Sequence, residues 1–79
     1  MEAMDEERIF RIRRNLSDAG CNASQIVQFL ELEEQRKRQE QYQMLFRQRA
    51  LLLKELHQDQ YKIDCLDYMV FAMHKEDAE

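Results

Sequence analysis

Between Tyr42 and Met73 one stripe of residues recurs at alternating steps of three and four: Tyr42, Leu45, Arg49, Leu52, Leu56, Asp59, Ile63, Leu66, Val70 and Met73. That spacing is the seam of a heptad repeat, in which only Arg49 and Asp59 are out of character. No Gly or Pro interrupts the run. A stripe this narrow, sustained over more than four heptads, needs another helix against it. The remainder of the chain is too short to cover all of it. Association is therefore the first expectation, through an interface of Leu45, Leu52, Leu56, Ile63, Leu66, Val70 and Met73.

The 79 residues contain one Gly and no Pro, and no turn signals between alternating β-branched runs. The fold class is all-α, and residues 1–79 make one helical domain. A chain of this size buries a modest share of its surface, so a partner subunit is a natural way to complete its core. Charged residues make up 35% and hydrophobic ones 44%, a balance that suits helices with one apolar face each rather than disorder. The net charge of −4 argues against a wholly electrostatic nucleic-acid binder. No apolar run reaches the roughly 18 residues of a membrane span. The acidic start has no basic segment leading into an apolar stretch, so it does not read as a secretory signal. With two cysteines at no metal-like spacing, this points to the reducing cytoplasm.

Three helices are predicted. The first spans 5–19, with Ile9, Ile12, Leu16 and Ala19 on one face and Phe10 widening it. Asp5, Glu6 and Glu7 suit the positive end of the helix dipole. Gly20 supplies the left-handed residue that closes this helix, with Cys21 placed to touch Leu16. Asn22 is an N-cap with Gln25 three residues on, a capping box, and Cys21 can staple onto Ile26. Residues 20–26 thus read as a tight corner. The second helix, 23–33, has Ile26, Val27, Phe29 and Leu30 as its apolar side. No breaker marks the polar stretch that follows, so a continuous helix from Ala23 to Lys75 is one reading and a bend near Glu34–Arg38 the preferred one. Such a bend lets the two short helices fold onto the start of the third. That third helix, 39–75, would be on the order of 55 Å long. Its antiparallel coiled-coil pairing in a homodimer would complete the fold.

This order of parts resembles a family. RIFRIRRNLSDAGCNASQIVQFLEL, a polar gap, and then LFRQRALLLKELHQDQYKIDCLDYMV are similar to the MerR family of bacterial transcription regulators. In that family a helix turns through Gly into a second, capped helix, and a long helix then pairs with its copy in an antiparallel coiled coil. Phe10, Ile12, Leu16, Gly20, Asn22 and Ile26 fall on the matching pattern, and LDYMV at 66–70 looks like the closing part of the dimer helix. The family reads DNA with a helix-turn-helix and wing placed before the segment that matches Arg8–Ala19, where this sequence has seven residues. The resemblance implies a dimerisation module without its own DNA reader. Such a module could modulate a full-length MerR-like regulator by pairing with it.

The candidate sites have ordinary readings beside them. Arg8, Arg11, Arg13 and Arg14 form a basic patch in which Arg8, Arg11 and Arg14 are candidate phosphate contacts. The alternative function is accordingly a small helical nucleic-acid binder using that face. The preferred reading of the same arginines is the solvated side of an amphipathic helix, partly balanced by Glu6 and Glu7. Arg36, Lys37 and Arg38 lie among glutamates and read as a solvated joint. Arg49 and Asp59 either fix register and partner in the seam or snorkel to water. Cys65, His57 and His74 do not have the i, i+4 spacing of a helical chelate, so no metal is expected. Nothing resembles a catalytic set or a phosphate loop. No enzymatic activity and no cofactor are expected, nor a membrane partner, and the chain alone should bind nucleic acid weakly or not at all.

Overall fold

The computed structural model describes residues 6–55 and 59–78. Four helices run through them: α1 (Glu6–Asp18), α2 (Ala23–Glu34), α3 (Arg38–Lys54) and α4 (Gln60–Ala78). Each is antiparallel to the next, and α4 returns beside α1 to close the ring, as the pairs Arg8–Glu76 and Asp18–Tyr61 show.

The α1–α2 corner follows from the sequence. Gly20 sits at φ +89°, where a side chain would be strained. The Cys21 N–H donates to the Leu16 carbonyl at 2.9 Å and the Gly20 N–H to Ser17 at 3.0 Å. Those two bonds are a Schellman closure. Asn22 Oδ1 then accepts from the Gln25 N–H at 2.9 Å, and Gln25 Oε1 accepts from the Asn22 N–H at 2.8 Å. The capping box is complete.

The α2–α3 joint repeats that closure without glycine. The Lys37 N–H donates to the Leu32 carbonyl at 2.9 Å and the Arg36 N–H to Glu33 at 3.2 Å. The left-handed position falls on Arg36, at φ +58°. This bend lies within the 34–38 stretch.

The third helix departs from expectation. Instead of one helix over 39–75, α3 ends at Lys54 and α4 begins at Gln60. Glu55 is extended, at φ −70° and ψ 148°. Asp59 caps α4: its carboxylate accepts from the Lys62 N–H at 3.3 Å, while its carbonyl accepts from Ile63 at 3.1 Å. The physical reason is that a heptad seam specifies a facing helix, not which chain supplies it. Here α3 and α4 supply it to each other as a hairpin. The short helices also cover more than one end of the long segment, since α1 packs along α4 and α2 along α3.

The core is correspondingly shared. Ile12, Leu16 and Ala19 of the α1 end, Phe29 of α2, Leu45 and Leu52 of α3, and Ile63, Leu66 and Met73 of α4 are all buried. Burying each large side chain contributes roughly 1.5–3 kcal/mol before ordering entropy is set against it. Two expected core residues lie outside: Phe10 is 62% exposed and Val27 49%.

Two glutamines of α3 stitch the corners to this core. Gln48 Nε2 donates to the Ala19 carbonyl at 3.1 Å, beside the Gly20 turn. Gln41, seven residues earlier and 1% exposed, donates to the Phe29 carbonyl at 3.3 Å and to Glu33 at 2.7 Å. A buried amide without partners would cost about 1–3 kcal/mol, and these are satisfied.

Candidate association site

The seam residues expected at a dimer interface are turned inward within the chain. Leu45, Leu52, Ile63, Leu66 and Met73 are between 1% and 6% exposed, and Val70 is half-buried against them. Leu56 lies outside the described residues, as does His57. The polar intrusions have local partners. Arg49 Nε donates to Asp67 at 2.9 Å across the α3–α4 hairpin, at an exposed position. Asp59 is the cap of α4, with Lys62 Nζ 3.9 Å from its carboxylate.

Where α1 and α3 begin and α4 ends, a polar network joins all four helices. Arg8 contacts Glu33 of α2 at 2.8 Å and Glu76 of α4 at 2.6 Å. Arg38 of α3 meets the same Glu76 at 2.9 Å and Asp77 at 3.1 Å. The Tyr42 hydroxyl donates to Asp77 at 2.7 Å, and its ring stacks on His74 at 4.8 Å. The hydrogen bond from Arg8 holds the Glu76 carboxyl below its ordinary range, and that from Tyr42 does the same for Asp77. The Tyr42 hydroxyl is pushed up to about 12, by burial first and by the Asp77 carboxylate second. Arg8 is held still more firmly in its charged form by Glu76. Carboxylates in the last turn of a helix oppose its dipole, so Arg8 and Arg38 also offset that penalty at the end of α4.

This placement changes the basic patch. Arg8 is committed to carboxylates, so its guanidinium is not presented to solvent anions. Arg11 pairs with Glu7 at 2.9 Å. Arg14 is exposed beside Arg13 and Phe10 on the outer face of α1. The structure therefore does not bring Arg8, Arg11 and Arg14 together as one phosphate-facing set. His74 is used as a stacking partner. Among the described residues no three His, Cys, Asp or Glu side chains are placed to hold a metal ion, and no helix is long and apolar enough to cross a membrane.

Several large apolar and aromatic side chains are exposed. Phe46 and Leu53 of α3 and Phe71 of α4 lie on the outside of the hairpin, with the Arg49–Asp67 pair between the two helices. Tyr61 and Tyr68 stand on the opposite flank of α4, toward α1, where the Tyr61 hydroxyl reaches Asp18 at 3.3 Å. Sequence periodicity missed these residues because they fall beside the heptad stripe, not on it.

No protein-family model, curated protein or solved structure matches this chain.

Proposed function

We propose that this chain is an association module, a MerR-like dimerisation unit that acts by pairing helices and does not read DNA itself. The closed four-helix chain exchanges with a homodimer in which α3 and α4 join into one long helix. The α4 half then packs on the α3 half of the other chain. The observation that carries this is the shared heptad spacing: Tyr42, Leu45 and Leu52 of α3 and Ile63, Leu66 and Met73 of α4 are buried and fall on one stripe with no Gly or Pro between them, with buried Gln41, Gln48 and Met69 beside it. A hairpin whose joint only had to reverse the chain would have no need to preserve that phase.

The hairpin already has the register of such a pair. Tyr42 opposes Asp77 and Arg49 opposes Asp67. An antiparallel dimer of the straightened helix makes the same pairs between chains. Nearly every buried contact is retained, so the two forms differ chiefly at the joint, and chain concentration sets the balance. Exchange with a full-length MerR-like regulator would give a mixed dimer carrying one DNA reader, which is a means of weakening operator binding.

The test is sedimentation after refolding at low and at high chain concentration. A dimer is expected to accumulate at high concentration. His57→Pro should abolish it, since Pro inside a helix costs about 3 kcal/mol. A chain that stays monomeric at every concentration, or an H57P chain that dimerises as well as the parent, would overturn the proposal.

A further inference from the structure

Between α1 and α4, next to the polar network, a cleft of about 110 Å³ opens from the surface onto the core. Its floor is Ile12, Phe29, Met69 and Met73, all buried and apolar. Its edge carries Arg11 and Asn15 from α1 and Tyr68 and Ala72 from α4. The small Ala72 side chain, on the side of α4 that faces α1, leaves the room. We propose that this cleft binds a small aromatic monocarboxylate of the size of benzoate, with its ring on the methionine floor and its carboxylate at Arg11 and Asn15.

Size, shape and charge support that class of ligand. A cavity of roughly 150 Å³ suffices for a benzene ring in a protein core. This cleft is somewhat smaller but open on one side, so a ring can enter without being fully enclosed. Thioether side chains adapt to a flat aromatic guest better than branched aliphatic ones. Tyr68, largely exposed on the rim, offers a ring face to cover it.

The charged groups lining the cleft are Arg8, Arg11, Arg38, Glu33 and Glu76, three positive against two negative. Glu7 and Asp77, just outside the lining, complete the pairing of these arginines, so a head group would compete with Glu7 for Arg11. Arg8 and Arg38 are held by Glu33, Glu76 and Asp77. Arg11 is held only by Glu7 in an exposed i, i+4 pair, which exchanges readily. The Asn15 side-chain amide makes no hydrogen bond among the described residues, and its two N–H groups can donate to the same carboxylate.

The experiment is a titration of the isotope-labelled full chain with sodium benzoate, followed by amide chemical shifts, with benzyl alcohol and sodium acetate as separate probes. Saturable shifts confined to residues around Asn15, Tyr68 and Ala72 are expected, with a Kd on the order of 1 mM for so small a ligand. Benzyl alcohol and acetate should each bind at least about tenfold more weakly. Arg11→Gln changes only an exposed side chain and should weaken benzoate by a similar factor while leaving benzyl alcohol unchanged. Ala72→Leu fills the cleft and should remove the shifts, with circular dichroism confirming that this variant is still helical. Should Ala72→Leu unfold, Arg11→Gln alone decides. Benzoate shifts scattered over the surface, or unaltered by Arg11→Gln, would overturn the proposal.

Discussion

The two corners of this protein perform the same turn with different residues. At α1–α2 and at α2–α3 the helix ends in a Schellman closure, and a buried glutamine from α3 reaches back to a carbonyl of the helix that precedes the turn. The first corner uses Gly20 at positive φ and a full capping box. The second puts Arg36 in the left-handed region, and Lys37 provides no side-chain cap. The fold needs the closure at both places but has the residue best suited to it only at the first. Packing from Gln41, Phe29 and Tyr42 holds the second in shape. A turn that local chemistry favours can be read from sequence residue by residue, whereas the second showed only as a polar gap at 34–38 in which no residue marked the closure.

Exchanging what each corner has tests that contrast. The largest effect should come from Gly20→Val. A β-branched residue at φ +89° is strained, and its Cβ would sit 3.4 Å from both Gln48 Nε2 and Lys62 Cδ. A loss of about 2 kcal/mol is expected, a fall in melting temperature of roughly 8–16 °C for a domain this small. A melting temperature that did not move would mean that the corner is carried by tertiary packing like its counterpart.

Gln48→Ala should come next, at about 1–2 kcal/mol. It takes the donor from the Ala19 carbonyl and leaves a gap where a side chain 8% exposed had been. Denaturant unfolding would show it as a lower midpoint with an unchanged slope. The smallest effect should be a gain: Arg36→Gly relieves the left-handed arginine and should stabilise the chain by roughly 0.5–1 kcal/mol. A loss at that position would show that the Arg36 side chain contributes more than its backbone strain takes away.

The polar network adds its own dependence on pH. Glu76 and Asp77 have folded pKa values below their ordinary ones. Their contribution is complete above the usual carboxylate range near pH 4 and is lost as the pH falls through the folded values. Tyr42 is shifted the other way, to about 12. Its contribution is complete below pH ~10 and is lost as the pH rises toward the folded value. Thermal melts across pH should therefore fall at both extremes. Tyr42→Phe should flatten the alkaline limb more than the acid one, and an unaltered alkaline limb would assign that loss to another group.

Much of the architecture was legible in the sequence. Gly20, Asn22 and Gln25 marked the first corner residue by residue, because each makes its bond within a few positions of itself. The seam from Tyr42 to Met73 identified most of the buried side chains of α3 and α4, but not which chain they would face. Asp59 was the one local sign of the break between those helices. It is a good N-cap, yet it stood at a heptad position and so read as a polar intrusion. Gln41 and Gln48 were passed over because an amide looks like a surface residue until the carbonyl it satisfies is known. Phe10 shows the converse: an aromatic next to the apolar face of α1 that the fold leaves in solvent.

In the proposed exchange, one heptad seam serves both a closed chain and a dimer. Spin labels at Gln43→Cys and Lys75→Cys, with Cys21 and Cys65 replaced by Ala, address it through the distance between them. In the hairpin these positions lie at the same end of the molecule, near the Tyr42–Asp77 bond, whereas one continuous helix would hold them about 48 Å apart. A dilute sample should give a single short distance. Doubly labelled chains refolded at high concentration with excess unlabelled chains should add a population near ~48 Å in proportion to the dimer. A dimer that shows only the short distance would contradict the exchange, and a dilute monomer that shows only the long one would contradict the hairpin itself.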